Sequence, residues 1–205
     1  MSYRFRAIAL GLSLNNCNIF RKHATDYDTA GRKNHADHKC CIYESLLGGD
    51  DKLEILDIVM IPELHIFLGI VNRIVRALNA RWGDNGFYKW CDKNHVLYKN
   101  YNDNEMDGNS CREVMKKLTN LEAELEGQYS HLQVYVHALA AFEKVVVACF
   151  GEELLDSFED DILFFKDMYR NLQLPMCVKP HILFDHVPTF CKRYGAMGYW
   201  SEQAG

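Results

Sequence analysis

From Pro62 onward the apolar residues Leu64, Phe67, Val71, Ile74, Val75 and Leu78 recur three and four positions apart, and only one regular structure has that period. Side chains at this spacing share one face of an α-helix, so the stripe must turn towards a core. Asn72, Arg73 and Arg76 are expected on the opposite face. Pro62 suits the first turn, where its missing N–H removes no helical bond. The run Gly83-Asp84-Asn85-Gly86 supplies the stop. Further along, Ser110 with Glu113 three residues later reads as a capping box. It opens a helix whose stripe is Val114, Leu118, Leu121 and Leu125. More helices are predicted at about 131–150 and from Ser157, with Asp160 in its first turn, to Leu172. Pro175 ends that one, and a last helical segment at 181–194 is interrupted by Pro188. Residues 98–108 form a polar loop rich in Asn and Asp.

The N-terminal part is less regular. Residues 2–14 alternate and then run apolar, as a buried strand or a strand leading into a helix would. Residues 15–38 are a polar excursion, and Gly48-Gly49-Asp50-Asp51 is a turn. The expected fold is therefore mainly α with a small β contribution near the N-terminus. No internal repeat or low-complexity tract occurs.

Composition narrows the function classes. With 48% hydrophobic and 12% aromatic residues the chain is no disordered polymer, and 205 residues can bury one good core or one core with a satellite. No stretch is expected to reach the roughly 20 apolar residues of a membrane helix, so no membrane partner is predicted. The eight cysteines are irregularly spaced, which fits reduced thiols and an intracellular protein better than a disulfide framework. A net charge of −5 opposes autonomous DNA binding.

Several residue sets bear on chemistry. His181 and His186 fall within the H-x(3–5)-H spacing of zinc sites. Five residues of straight α-helix, however, rotate a side chain by about 140°. The two rings therefore converge only if the helix starts after His181 or distorts near Pro188; otherwise they are ordinary histidines on a partly buried helix. A zinc ion needs two further ligands. Cys40 and Cys41 are adjacent, an unfavourable arrangement for one ion, and a C-x-x-C would need a second cysteine at Tyr43 or Glu44. His35 and His38, Cys91 with His95, and Cys177 with His181 are possible substitutes, each equally readable as a buried thiol or a surface histidine. Glu152-Glu153 and Glu159-Asp160-Asp161 read as helix N-terminal charges. No G-x-G-x-x-G, P-loop, G-x-S-x-G or H-E-x-x-H occurs. His65, at the start of the strongest helix, reads as a packed or capping histidine rather than a base.

Three segments taken together resemble the C-terminal half of DDE-type transposase-derived proteins, the group of invertebrate transposase relics. More distantly, they are similar to Transib transposases and the catalytic subunit of the V(D)J recombinase. They are Pro62-Glu63-Leu64-His65-Ile66-Phe67-Leu68-Gly69, then His181-x4-His186-Val187-Pro188, then Gly198-Tyr199-Trp200-Ser201-Glu202-Gln203. The resemblance implies an RNase H-like core interrupted by a large helical insertion. Residues 1–60 would be a remnant of that core with a degenerate cysteine region. Residues 61–205 would be the insertion, leading towards the final catalytic helix.

The family's insertion holds structural zinc between a C-x-x-C and an H-x4-H. His181 and His186 match the second element. The first maps onto the region of Cys40 and Cys41, where the second cysteine is missing. Catalysis in the family needs acidic residues that hold two Mg²⁺ ions for in-line attack on phosphodiesters. The resemblance places one Asp just before Met1 and the last Glu just beyond Gly205, with Glu202 a weak stand-in. The chain also stops without a terminal helix or polar tail, as a piece of a larger enzyme would. It is thus expected to be inactive alone, to meet DNA only within a longer protein, to be nuclear if functional, and to tend towards homo-oligomers. Competing expectations are an α-helical interaction module, using an antiparallel pair formed from 110–126 and 131–150, and a small zinc-stabilised domain.

Overall fold

The computed structural model describes residues 61–98 and 105–200, together with a short antiparallel pair in which Asn16–Cys17 faces Lys22–His23. The described body is built from helices. In order they are α1 (Glu63–Trp82), α2 (Gly86–Lys93), α3 (Gly108–Lys116), α4 (Leu118–Glu124), a 3₁₀ segment (Gly127–Leu132), α5 (Gln133–Cys149), α6 (Phe158–Asn171), α7 (Val178–Asp185), α8 (Val187–Tyr194) and a closing 3₁₀ turn (Met197–Trp200). The mainly α expectation therefore holds. The expected N-terminal strand over 2–14 and the turn at 48–51 lie outside the described residues.

The apolar stripe of α1 is buried as its period requires. Phe67, Val71, Ile74, Val75 and Leu78 are all in the core, while Leu64 is half-buried. Each such burial contributes about 1.5–3 kcal/mol of transfer free energy. Pro62 stands at the N-cap rather than inside the first turn, and Gly83, at φ 71°, ends the helix. Asn72 corrects the expectation of an outward polar face, because it is buried. Its Nδ2 donates to the carbonyls of Leu68 and Met106, both at 3.0 Å, and its Oδ1 accepts from Met106 N–H at 2.8 Å. It ties the approach to α3 onto α1, as paired backbone would. Arg73 and Arg76 are half-buried; Arg73 donates to the Pro175 carbonyl at 3.0 Å, and Arg76 pairs with Glu105 at 3.2 Å.

The predicted helix at Ser110 forms, but its N-cap is Asp107. The Asp107 carboxylate accepts from both Ser110 N–H and Ser110 Oγ, each at 2.9 Å. An irregular residue, Lys117, splits that helix into α3 and α4, yet Val114, Leu118, Leu121 and Leu125 stay buried. Helix α6 carries Glu159, Asp160 and Asp161 in its first turn, as expected. Glu152 and Glu153 instead lie in the turn between α5 and α6.

Helix α5 is the centre of the body, with Tyr135, Val136, Leu139, Phe142 and Val145 all buried. It packs most closely with α6 rather than forming a pair with α3 and α4 alone. Phe142, Phe165, Tyr169 and Phe184 bring α5, α6 and α7 together, with neighbouring ring centroids 4.9–5.9 Å apart. Residues 127–149, including the 3₁₀ segment, are long and apolar enough to cross a membrane, which the expectation drawn from the sequence had excluded. In an 18-residue apolar window within it, 56% of the residues are buried among the other helices, so its apolarity is that of a core helix.

Candidate metal centre

Helices α7 and α8 are one helical run broken at His186. Pro188, at the second position of α8, has no N–H to give to the preceding turn, and its ring restricts Val187 before it. The backbone leaves the regular helix at His186 (φ −119°, ψ −35°). That residue closes α7 through its N–H to the Ile182 carbonyl (3.0 Å) and opens α8 by accepting from Phe190 N–H (2.9 Å). The distortion removes the 140° separation expected of a straight helix. It carries the His186 ring back over α7, and His181 meets it there.

The two imidazoles face each other edge to face, with centroids 4.9 Å apart and planes at 81°. Their Nε2 atoms are 3.2 Å apart, with His181 fully buried and His186 only 3% exposed. Two nitrogens bound at 2.0–2.1 Å to one tetrahedral ion stand about 3.3 Å apart. The separation also lies at the long limit of an ordinary N–H···N hydrogen bond. The other side of His181 bears on which ring nitrogen holds the proton. Its Nδ1 is 2.8 Å from Oδ2 of Asp185, one helical turn later. With its proton on Nδ1, facing that carboxylate, His181 turns an Nε2 lone pair towards His186, where it can accept from His186 Nε2–H or serve as one ligand of a metal ion.

Asp185 is suited to that task. Burial acts to raise its pKa, but the hydrogen bond from His181 and the positive charge of Lys166 outweigh it and hold the carboxyl below its ordinary value. Lys166, reaching from α6, places Nζ 3.2 Å from Asp185 Oδ1 and lies over the Phe184 ring. Sequence reasoning missed both residues. The spacing of four between His181 and Asp185 was the available signal, whereas Lys166 is brought in only by tertiary packing.

The other candidates among the described residues do not join this pair. Among the described residues no group of three or more His, Cys, Asp and Glu side chains is placed to hold a metal ion. Cys177, half-buried at the N-cap of α7, meets His181 through the backbone bond from His181 N–H to its carbonyl (3.0 Å). Cys91 is buried, which pushes its pKa up to about 12, while His95 is exposed, so they share no ligand point. His65 is half-buried in the first turn of α1, its N–H donating to the Pro62 carbonyl at 3.1 Å. Cys40, Cys41, His35, His38 and Glu202 lie outside the described residues. No family model, curated protein or solved structure matches this chain.

Proposed function

We propose that this chain is the helical insertion of a DDE-type transposase-derived protein, stabilised by zinc held at His181 and His186. The observation that carries the proposal is the convergence of the two buried Nε2 atoms at 3.2 Å with Asp185 behind His181. The pair also stands in the H-x4-H-V-P sequence on which the resemblance rests. Cys40 or Cys41, in the region the resemblance assigns to thiol ligands, is the proposed source of one further donor, and the place of the missing second cysteine is taken by a different ligand. Zinc in such a setting supplies cross-linking between distant segments rather than chemistry on a substrate. The chain alone is proposed to be inert towards DNA.

Structural zinc contributes on the order of 10 kcal/mol to folding, so chelation has a large expected effect. A melt of the purified chain in excess EDTA should show a steep fall in Tm, reversed by added Zn²⁺. An unchanged melting curve sinks the zinc reading. Cleavage or strand transfer by the chain with Mg²⁺ or Mn²⁺ would sink the reading of an inert insertion.

A second reading, a helical interaction module, is favoured by large apolar side chains left in solvent on α5 and α6. Val147 is 62% exposed, Leu163 59% and Phe164 50%. A strictly monomeric chain that binds no apolar dye would remove it.

A further inference from the structure

A groove of about 520 Å³ opens between the start of α1, the end of α3 and the end of α5, away from the histidine pair. Its floor and walls are apolar: Leu64 and Phe67 from α1, Met115 from α3, and Val146, Val147 and Phe150 from α5. Phe67 and Phe142 stack beneath it at 6.1 Å, so the floor is continuous with the core. Val147 leaves most of its surface in water although it stands on the central helix. A face of this kind normally has an occupant.

Chain continuity selects that occupant. The groove begins at Glu63 and Leu64, in the first turn of α1, and the residue entering that turn, Ile61, is already buried. The eight residues that precede it read Leu53-Glu54-Ile55-Leu56-Asp57-Ile58-Val59-Met60, six of them apolar. Extended, they span about 26 Å, whereas packed helix axes are only about 8–10 Å apart. The segment therefore reaches every wall while still joined to α1. Its effective concentration at the groove is that of a short tether, far above that of any free partner. The lining also carries both signs, Arg112 (over the Phe67 ring) and Lys116 with Glu63, Glu143 and Glu152, so apolar fit rather than net charge governs the choice.

We propose that residues 53–60 of the same chain dock in this groove and cover Val147 and Phe150. The interaction does not depend on the zinc reading, because no groove residue belongs to the histidine pair.

The test uses the full chain with p-benzoylphenylalanine in place of Val147, whose exposure tolerates the larger ring. After irradiation, peptide mass spectrometry locates the adduct, and a mixture of ¹⁵N-labelled and unlabelled chain separates same-chain from between-chain products. The expected adduct lies within residues 53–60 of the same chain. The same label at Leu163, on α6 outside the groove, should give none there. Adducts to a second copy, to residues 199–205, or to no part of 53–60 overturn the proposal. A second measurement needs no label: the full-length Ile55→Asp/Ile58→Asp variant should bind an apolar fluorescent dye severalfold more than the parent chain while keeping its helical circular dichroism. Unchanged dye binding would also overturn it.

Discussion

Replacing Asp185 by Asn probes the histidine pair through a residue that does not face the shared point itself. The carboxylate is 18% exposed, with His181 Nδ1 at 2.8 Å and Lys166 Nζ at 3.2 Å. Asn keeps the volume but loses the charge, and one of its two terminal atoms is now a donor. Hydrogen bonds to charged groups contribute about 1.5–3 kcal/mol each, and the longer contact to Lys166 falls at the lower end. In chelator, denaturation should therefore show a loss of about 1.5–3 kcal/mol. The effect on metal is separate. Loss of the partner that orients a metal-binding histidine lowers affinity by about 10–100-fold, or about 1.4–2.8 kcal/mol. Competition against a chromophoric chelator reads that second quantity directly. If Asp185→Asn weakens the fold but leaves zinc affinity unchanged, Asp185 only packs α7 against α6, and the reasoning from the carboxylate to the histidine lone pair is refuted.

Other consequences follow from the same contacts. Asn72→Leu leaves the buried N–H and carbonyl of Met106 without their partner, at about 1–3 kcal/mol for each group; a change below about 1 kcal/mol in urea unfolding would contradict this. At Gly198 an added Cβ would overlap the carbonyl oxygens of Gly151 and Phe150. Gly198→Ala should thus destabilise the fold by about 1–3 kcal/mol and speed amide exchange at 197–200, and an unaltered Tm would argue against the close approach. Burial pushes Cys91 and Cys111 up to about 12 from 9.0. Their contribution is complete below the unfolded thiol pKa and is lost as pH rises through the folded value, so stability in chelator should fall across pH 9–12. Cys111→Ala should flatten that slope, and an identical slope in the variant would exclude Cys111 as a source.

The features legible in the sequence were those set by local period. The stripe of α1 is amphipathic over 20 residues, long enough for its spacing to dictate a buried face. What escaped depended on partners distant in sequence or on elements too short to show a period. Asn72 reads as a surface residue until Met106, 34 positions away, is packed beside it. Helix α2 has only eight residues, and its buried Phe87, Trp90 and Cys91 show barely two turns of pattern. At α3 both Asp107 and Ser110 are followed three residues later by a polar side chain, so the sequence offers two N-caps; Asp107 takes the role by accepting from Ser110 N–H. The histidine pair was legible as a spacing but not as a site. Its convergence needs the break that Pro188 imposes at His186, and its electrostatics need Lys166 from another helix.

The proposal of a zinc-stabilised insertion is tested most directly by metal analysis of the purified chain, joined to X-ray absorption at the zinc edge. The account predicts one zinc per chain, with nitrogen neighbours at about 2.0–2.1 Å and sulfur at about 2.3 Å, lost in the His181→Ala/His186→Ala variant. A chain that folds fully without bound zinc, or binds zinc equally well after both histidines are removed, would contradict it.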